Sequence, residues 1–462
     1  MSSPFEIRGV VEGFYGVYYT VPQRESLIRF IGDLGFNTYI YGPKDDREHR
    51  VRWREPYPEE AMQEFAHTVQ VAKQSGVRFV YALSCGLSIR YSSDEDFECI
   101  QNKFLAFHSM GVRDFSLFLD DISHEFQHEQ DRRVFSSYAQ AHAAICNRAL
   151  EWLLSVDSEC TLSMCPTDYC GEAPFSAYLH ELGASLDPRI DVFYTGPQVC
   201  STRITAGHAL QFAEAARRLP IIWDNYPVND SSMRPEMHLG PIKGRSGDLY
   251  KGCKGIAVNP MNQAEASKIA LVTFADYFAR PADYNPDESW DSAIRRVAGE
   301  SSAKHVRLLA ETTLMSCLQR EAAPKMASLV GRLLDSQREG LKVQGNPAVC
   351  ELSDYLTELD EACYHIVNRM DNLELRNDLL PWIEVLENWI WAGRGVLEVL
   401  ELLERGKDYS NALRAVKDAL DVVSKHPKRI TGGALKPLVD YCMKQVEEQH
   451  GKLWVLSTEP WS

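Results

Sequence analysis

The sequence lacks the long apolar runs, the leader-like start and the surplus of basic residues that mark several classes of protein. No apolar run is long enough to cross a bilayer, and the N-terminal residues show no basic segment followed by an apolar one. Lysine and arginine together number 49 against 65 acidic residues, which gives a formal net charge of −16. Such a charge disfavours electrostatic binding to nucleic acid. The composition therefore predicts a cytoplasmic protein that acts on neither membranes nor nucleic acids.

The twelve cysteines include no CxxC pair and no cysteine–histidine cluster with the spacing of a zinc site. In a chain of 462 residues, cysteines spaced in this way are typical of reduced thiols buried as small apolar side chains. They give no reason to expect a metal site, and no cofactor is predicted.

The first half of the chain has a regular alternation of β-type and amphipathic segments. From Ile7 to Pro260, eight short and nearly continuously apolar runs alternate with stretches of helical periodicity. Eight such repeats predict an α/β fold, a (β/α)8 or TIM barrel. A doubly wound open sheet is the competing fold, but no glycine-rich phosphate loop follows the first run. The runs are IRGVVEGFYG, TYIYGPKDD, RFVYALS, DFSLFLDD, CTLSMCP, DVFYTGP, IIWDN and GIAVNP.

Beyond this region the sequence has helical periodicity and almost no β-type runs. We therefore predict a barrel over residues 1–280, a linker rich in proline and aspartate over 281–290, and an all-α helical bundle over 291–462. Five or six helices are expected in the bundle.

Aromatic residues are unusually dense in the predicted bundle. Trp382, Trp389 and Trp391 fall within three helical turns, and the tail carries Trp454 and Trp461. Surplus aromatic surface is typical of interfaces. We expect a homodimer formed through the helical domain, with a tail that docks on its own chain or on the partner.

Polar and aromatic residues cluster at the C-terminal ends of the eight runs. Active sites of this fold lie at that end, because the loops that follow the strands converge there. Helix capping explains some of these positions, but not a lysine, a tryptophan and two tyrosines. A sugar pocket needs both an aromatic wall and fixed hydroxyl-binding groups. The residues are Gly13-Phe14-Tyr15, Lys44-Asp45-Asp46, Asp120-Asp121, Cys165, Tyr169, Thr195, Trp223-Asp224-Asn225 and Asn259.

The segment HEFQH, His124 to His128, matches the zinc-peptidase pattern HExxH. That pattern works only in the middle of a helix, where both histidines face one metal ion. Here the surroundings are strongly polar, and Asp131 and Val134 stand where the extended pattern has glycine and a third histidine. Glu151 is a conceivable distant third ligand, so a zinc peptidase stays open as a remote alternative. A solvated loop is the commoner explanation.

The pair Asp120-Asp121 directly follows the fourth apolar run. Two adjacent carboxylates push their pKa values apart, so that one can stay protonated as an acid while the other stays ionised. A structural role, as a helix cap or as an ion pair with Lys44, explains the dipeptide alone about equally well. The polar and aromatic neighbours favour catalysis.

Seven ordered motifs in this half of the chain resemble those of glycoside hydrolase family 84. The resemblance covers Arg8 to about Ala279, and the family also has a helical region after its barrel. The related bacterial β-hexosaminidases have Asp-Glu instead of Asp-Asp as their paired acids. The motifs are GVVEGFYG, YIYGPKDDREHRVRWREPYP, LFLDDI, MCPTDYCG, YTGP, IWDNYPVND and NPMNQAEASKIAL.

The resemblance implies a retaining exo-β-N-acetylglucosaminidase that removes O-linked N-acetylglucosamine (GlcNAc) from serine and threonine of proteins. In this family the nucleophile is the substrate's own 2-acetamido oxygen, which closes to an oxazoline. Asp120 would hold the acetamido N–H, and Asp121 would protonate the leaving oxygen and then deprotonate water. A related hexosaminidase or hyaluronidase acting on free glycans is one alternative, and a catalytically silent sugar-binding module is another.

The resemblance also implies which residues would bind the sugar. Tyr169 and Asn225 would hydrogen-bond the acetamido oxygen and the oxazoline. The other implied contacts are a pocket for the acetyl methyl group formed by Cys165, Thr195 and Trp223, and hydroxyl contacts from Gly13, Lys44, Asp230 and Asn259.

Overall fold

The computed structural model describes residues 3–450, which form two compact units. The first unit contains residues 3–231 and 241–289, and the second contains residues 232–240 and 290–450. The second unit thus includes a short piece of chain from between the seventh and eighth strands, which no sequence pattern signalled. None of the described helices has the length and apolar character needed to span a bilayer.

Eight parallel strands close into a barrel in the first unit, with each strand paired to the next and the last to the first. The predicted (β/α)8 barrel is confirmed. At the closing seam Gly255 pairs with Ile7, and a Cβ on Gly255 would lie 2.0 Å from the Ile7 carbonyl oxygen. Only glycine lets these two strands approach so closely. The strands are β1 (Ile7–Glu12), β2 (Thr38–Tyr41), β3 (Arg78–Leu83), β4 (Asp114–Phe118), β5 (Thr161–Cys165), β6 (Asp191–Tyr194), β7 (Ile221–Asp224) and β8 (Gly255–Val258).

Helices alternate with these strands, and hydroxyl side chains cap several of them. Ser93, Ser137, Ser176 and Thr205 each accept a hydrogen bond from a backbone N–H of the first helical turn. Such caps fix where a helix begins, and therefore where the preceding loop must end. The helices are α1 (Val21–Asp33), α2 (Glu59–Gln74), α3 (Asp94–His108), α4 (Glu129–Val134), α5 (Tyr138–Val156), α6 (Ala177–Ser185), α7 (Ala206–Ala216) and α8 (Ala264–Ala279).

Apolar side chains from the strands fill the interior of the barrel. Val11, Ile40, Phe118, Phe193 and Trp223 belong to one buried cluster. The ring centroids of Phe118 and Trp223 lie 5.1 Å apart, and those of Phe193 and Trp223 lie 5.6 Å apart. The barrel centre is therefore a packed floor that supports the loops after the strands.

Seven helices, instead of the expected five or six, follow the barrel in the described part of the chain. The stretch expected to be a linker, residues 281–290, contains a 3-10 turn at Pro281–Asp283 and the start of a helix at Pro286. Proline is favoured in the first turn of a helix, so this residue begins a helix instead of interrupting one. The helices are α9 (Pro286–Ala298), α10 (Glu300–Ala310), α11 (Pro324–Arg338), α12 (Pro347–Arg369), α13 (Leu373–Glu404), α14 (Ser410–Lys425) and α15 (Lys436–His450).

Two of the three tryptophans in α13 are buried within the second unit. Trp382 and Trp389 are 1% and 3% exposed, and the Trp382 indole donates to the Pro235 carbonyl at 2.8 Å. Trp391 is 67% exposed. Of the three described tryptophans that suggested an interface, two are therefore part of this unit's own core. The tail with Trp454 and Trp461 lies outside the described residues.

Candidate active site

Asp120 follows β4 and forms a buried ion pair with Lys44, which follows β2. Lys44 Nζ lies 2.5 Å from Asp120 Oδ2, and the two residues are 3% and 5% exposed. Asp120 Oδ1 is buried too, yet it has no hydrogen-bond partner in the described part of the chain. Since buried polar atoms are nearly always paired, this oxygen is an acceptor suited to an incoming donor.

Asp121 adopts a left-handed backbone conformation with φ of 53°. Outside glycine this conformation is uncommon and costs on the order of 1 kcal/mol, and it concentrates at functional sites. The two neighbouring acids meet different partners. Asp121 accepts hydrogen bonds from the hydroxyls of Tyr15 and Tyr169 at 2.7 and 2.8 Å, whereas Asp120 meets Lys44.

The surroundings of Asp121 favour its ionised form. Burial raises the pKa of its carboxyl, but the charge of Lys44 and the hydroxyls of Tyr15 and Tyr169 outweigh burial, so this pKa lies below its usual value. Burial and the charge of Asp121 raise the pKa of both tyrosines, which therefore keep their protons. Adjacency to Asp120 therefore does not by itself keep Asp121 protonated in this arrangement, because its cationic and hydroxyl neighbours lower its pKa.

The loop after β1 brings Gly13 and Tyr15 to the same end of the barrel. A Cβ on Gly13 would lie 2.3 Å from the ring of Trp223, so only glycine lets the backbone pass this side chain. The Tyr15 backbone N–H donates to Asp230 Oδ2 at 2.8 Å. This hydrogen bond joins the loop after β1 to the loop after β7.

The loop after β2 is organised by the buried carboxylate of Asp46. It accepts from the hydroxyls of Tyr41 and Tyr57 at 2.6 and 2.7 Å and from the His49 backbone N–H at 3.2 Å. Hydrogen bonds from the last residue of β2 and from two points of the loop to a single carboxylate hold the loop in one conformation. They therefore also hold Lys44, two residues before Asp46.

Trp223, Asn225 and Asn259 form a hydrogen-bonded group at the ends of β7 and β8. The Trp223 indole and the Asn259 amide both donate to Asn225 Oδ1 at 2.9 Å, and Asn225 Nδ2 donates to the Val199 carbonyl at 2.8 Å. These contacts fix which way each amide faces. Asn259 Oδ1 is buried and has no hydrogen-bond partner among the described residues.

Cys165 and Thr195 lie at the ends of β5 and β6. Cys165 belongs to the apolar cluster inside the barrel, Tyr169 packs against that cluster, and burial raises the pKa of the thiol. The Thr195 backbone N–H donates to the Tyr169 carbonyl at 2.8 Å, and its hydroxyl donates to the Gln198 carbonyl at 2.9 Å. Because the polar groups of Thr195 are engaged with the main chain, Thr195 suits an apolar wall better than a polar contact.

All of the predicted site residues lie at, or in loops after, the carboxyl ends of the strands. Lys44 connects two groups of them, since its Nζ pairs with Asp120 and lies 5.8 Å from the Trp223 ring centroid. Direct contacts thus link the acid pair to the tryptophan side of the barrel. The residues are Gly13, Lys44, Asp120, Asp121, Cys165, Tyr169, Thr195, Trp223, Asn225, Asp230 and Asn259.

Tyr15 and Arg50 both contact Asp121, although no role was predicted for either residue from the sequence. Arg50 Nη2 lies 3.4 Å from the Asp121 carbonyl oxygen, and the guanidinium lies 5.3 Å from the Tyr15 ring centroid. Both residues stand inside motifs that carried the family resemblance. The motif that contains Lys44 correctly located the loop after β2 at the site. Several arginines follow Lys44 in this loop, however, and their spacing does not show which one contacts Asp121.

The HEFQH segment is not part of a helix. His124 to His128 lie in irregular structure, and α4 begins only at Glu129. His124 Nε2 lies 3.5 Å from the Asp168 carboxylate. No group of three histidine, cysteine or acidic side chains in the described part of the chain is arranged to hold a metal ion. The zinc-peptidase alternative is therefore wrong, because the pattern requires both histidines on one helical face.

Comparison with protein families and curated proteins gives consistent matches. Residues 8–311, more than half of the chain, match the family described as beta-N-acetylglucosaminidase. Protein O-GlcNAcase from Rattus norvegicus and from Mus musculus are each 37% identical over 275 residues. That alignment covers 58% of this chain, and the chain spans only 30% of the length of either relative.

Solved structures of similar proteins extend the match to the helical region. An O-GlcNAc hydrolase mutant from Thermobaculum terrenum has a TM-score of 0.88 and 31% identity, over 98% of this chain and 99% of its own. CpGH84B has a TM-score of 0.84 and 27% identity, over 96% of this chain and 77% of its own.

Proposed function

Because the chain belongs to the β-N-acetylglucosaminidase family, we propose that it is a glycoside hydrolase that removes O-linked N-acetylglucosamine from serine and threonine residues of proteins. The observation that carries this proposal is that Asp120 and Asp121 have different hydrogen-bond partners. Asp120 keeps an acceptor oxygen beside Lys44, and Asp121 stands between two tyrosine hydroxyls. Two neighbouring carboxylates in different surroundings suit two different tasks.

In the proposed reaction the 2-acetamido oxygen attacks the anomeric carbon, and the bond to the serine or threonine oxygen breaks. The product of this step is an oxazoline, which water opens with overall retention of configuration. Asp120 Oδ1 accepts the acetamido N–H while Lys44 occupies Oδ2. A well-placed internal nucleophile contributes roughly 7–11 kcal/mol, so orienting this group matters at least as much as proton transfer.

Asp121 moves the proton in this proposal. It protonates the leaving oxygen in the first step and removes a proton from water in the second. General acid–base catalysis contributes about 10²–10⁴-fold in rate. Tyr169 and Asn225 hydrogen-bond the acetamido oxygen, and the fixed amide orientation of Asn225 supports that assignment.

The remaining site residues shape the sugar pocket. Cys165, Thr195 and Trp223 surround the acetyl methyl group, which fits the burial of all three side chains. Asn259 binds a sugar hydroxyl through its buried Oδ1, for which the described part of the chain offers no hydrogen-bond partner. The further proposed hydroxyl contacts are the Gly13 carbonyl and Lys44 at the 3-hydroxyl, and Asp230 at the 4- and 6-hydroxyls.

A cytoplasmic homodimer completes the proposal. Trp391 of α13 is 67% exposed, and exposed tryptophan is enriched at protein interfaces. Light scattering at micromolar concentration tests it: the wild-type chain should have twice the monomer mass, and Trp391→Ser should shift the equilibrium toward monomer. A monomeric wild type would contradict the dimer.

Hydrolysis assays test the activity. We expect release of N-acetylglucosamine from a serine-linked glycopeptide, insensitive to EDTA and lost in both Asp120→Asn and Asp121→Asn. Asp114→Asn, at the opposite end of β4, is the matched control and should retain activity. Faster cleavage of free N-acetylglucosamine oligosaccharides than of glycopeptides would favour the glycan-directed alternative, and loss of activity with EDTA would contradict the mechanism.

A further inference from the structure

Tyrosine hydroxyls occupy both carboxylate oxygens of Asp121. Tyr15, from the loop after β1, donates to Oδ2 at 2.7 Å, and Tyr169, from the loop after β5, donates to Oδ1 at 2.8 Å. A general acid must carry a proton on an oxygen that reaches the leaving group. A carboxylate that accepts two hydroxyl hydrogen bonds is prepared to act as a base and not as an acid. Some rearrangement must therefore precede the first proton transfer.

The two tyrosines are held in different ways. The Arg50 guanidinium lies 5.3 Å from the Tyr15 ring centroid and 3.4 Å from the Asp121 carbonyl oxygen, so Tyr15 and the main chain of Asp121 share one support. Tyr169 packs against the apolar cluster that contains Cys165 and Trp223. This is the place proposed for the acetyl group. An incoming acetamido oxygen therefore competes for the hydroxyl of Tyr169 and not for that of Tyr15.

We propose that the acetamido group of the sugar takes the Tyr169 hydroxyl away from Asp121, and that this exchange allows Asp121 to bind the proton that it then donates. Tyr15 stays on Oδ2 and acts as a positioning residue, because it acts through Asp121. This inference rests on the proposed function, since it concerns the same reaction. The proton comes from solvent, forms an O–H bond at Oδ1 and moves to the serine or threonine oxygen, which leaves the carboxylate restored.

The electrostatics of the site are consistent with this exchange. Burial raises the pKa of Asp121, and the Tyr169 hydroxyl is one of the groups that overcome burial and lower it. Loss of that hydrogen bond moves this pKa upward. A sugar without the acetamido group would then lack both the nucleophile and the proton. The charged and titratable groups around Asp121 are Lys44, Arg50, Asp120, Tyr15, Tyr169, Cys165 and Cys170.

The pH dependence of two kinetic constants tests the exchange. The profile of kcat/KM reports the pKa values of the free enzyme, and that of kcat reports those of the substrate complex. The substrate should be a serine-linked glycopeptide, because a leaving group that ionises easily does not need the acid. We expect the alkaline limb of kcat to lie at least about one pH unit above that of kcat/KM, a tenfold difference in ionisation constant.

Three tyrosine variants separate the parts of the proposal. In Tyr169→Phe the two alkaline limbs should coincide, because no hydroxyl is exchanged, even though kcat falls. In Tyr15→Phe both limbs should move to higher pH with their separation kept. Tyr284→Phe is the matched control, since its hydroxyl donates to the Ile242 carbonyl at 3.0 Å outside the site, and its profile should equal that of the wild type.

Calorimetry gives a readout that does not depend on turnover. A thio-linked N-acetylglucosamine peptide is bound in two buffers of different ionisation enthalpy. The wild type should take up a proton on binding, and Asp121→Asn should not. Coincident limbs in an active wild type, an unchanged separation in Tyr169→Phe, or binding without proton uptake would each overturn the exchange, whereas an inactive wild type would overturn the proposed function itself.

Discussion

Two buried ion pairs at the carboxyl ends of the barrel strands differ in how completely they are satisfied. Asp224 accepts hydrogen bonds from Arg245 Nε and Nη2 at 2.7 and 2.5 Å, and Arg245 Nη1 donates to the Ser201 carbonyl at 3.1 Å. Asp120 gives one oxygen to Lys44, while the other has no partner in the described part of the chain. Both pairs are buried in the same barrel, so burial alone does not identify the functional one.

The difference teaches how to tell a structural charge pair from a catalytic one. A buried hydrogen-bond acceptor without a partner lowers the stability of the folded protein by about 1–3 kcal/mol, and no other contact of that atom offsets this loss. A complete pair such as Asp224–Arg245 serves the stability of the fold. An incomplete pair such as Asp120–Lys44 retains a group whose partner is expected to be the substrate.

The largest expected effect is a loss of activity on replacing Asp120, the acid of the incomplete ion pair. Asp120→Asn removes the charge that polarises the acetamido N–H, so kcat/KM on a serine-linked glycopeptide should fall by about 10²–10⁴-fold. Asp120→Asn leaves the buried Lys44 without its counter-charge, but it also removes the charge from a buried carboxylate that is only half satisfied. Thermal stability should therefore fall less than in Asp224→Asn. A greater loss of stability in Asp120→Asn than in Asp224→Asn would break the comparison.

Asp224→Asn tests the structural side. It leaves the buried Arg245 guanidinium without its counter-charge, which should lower the free energy of unfolding by about 3–5 kcal/mol in urea titrations. The double variant Asp224→Asn with Arg245→Met should recover part of this loss. A change below about 1 kcal/mol in the single variant would remove the distinction between the two pairs.

Glu236, a third buried carboxylate, lies in the second unit. It allows the pH dependence of stability to be compared with that expected from the two ion pairs. Burial raises its pKa to about 7, although Arg429 lies 3.1 Å away and opposes the shift. A carboxyl whose pKa is higher in the folded than in the unfolded protein stabilises the fold at low pH, and this stability is lost as pH rises from about 4.5 to about 7.

Replacing that carboxyl should remove the pH dependence. We expect Glu236→Gln to be more stable than the wild type by about 1–3 kcal/mol at pH 8, with a smaller or reversed difference at pH 5. Urea unfolding at the two pH values measures it. An equal difference at both values would show that the Arg429 ion pair and not burial controls this group.

The smallest expected effect concerns Thr195. Thr195→Val removes the hydroxyl that donates to the Gln198 carbonyl, which should cost about 1 kcal/mol of stability. Because the proposed methyl pocket keeps its apolar surface, kcat/KM should stay within about threefold of the wild type. A large loss of kcat/KM at unchanged stability would mean that the hydroxyl contacts the substrate.

Much of the barrel could be predicted from local sequence. Strands covered on both faces are nearly continuously apolar, so all eight appeared as separate runs, and the ordered motifs at their ends carried a resemblance to glycoside hydrolase family 84 that the family match confirms. The roles of the individual site residues stay predictions. Their common position at the strand ends followed from the fold.

Other features depended on contacts that no local pattern records. HEFQH matched a motif but lies outside any helix, and Pro286 suggested a linker but begins a helix. Residues 232–240 interrupt the barrel sequence and belong to the second unit. In these segments, pattern and composition alone did not predict the structure that forms.

The sequence itself determined the order of the strands, the residue types at their ends and the presence of two adjacent acids. Periodicity and motif spacing are local properties, so they can be read without the tertiary structure. The protonation preference of Asp121 was decided only by the tertiary structure. Tyr15 lies 106 positions from Asp121 in the chain, and Tyr169 lies 48 positions away, yet both hydroxyls reach its carboxylate. A pKa depends on every charge and dipole within a few ångströms, and these came from three different loops that only the closed barrel brings together.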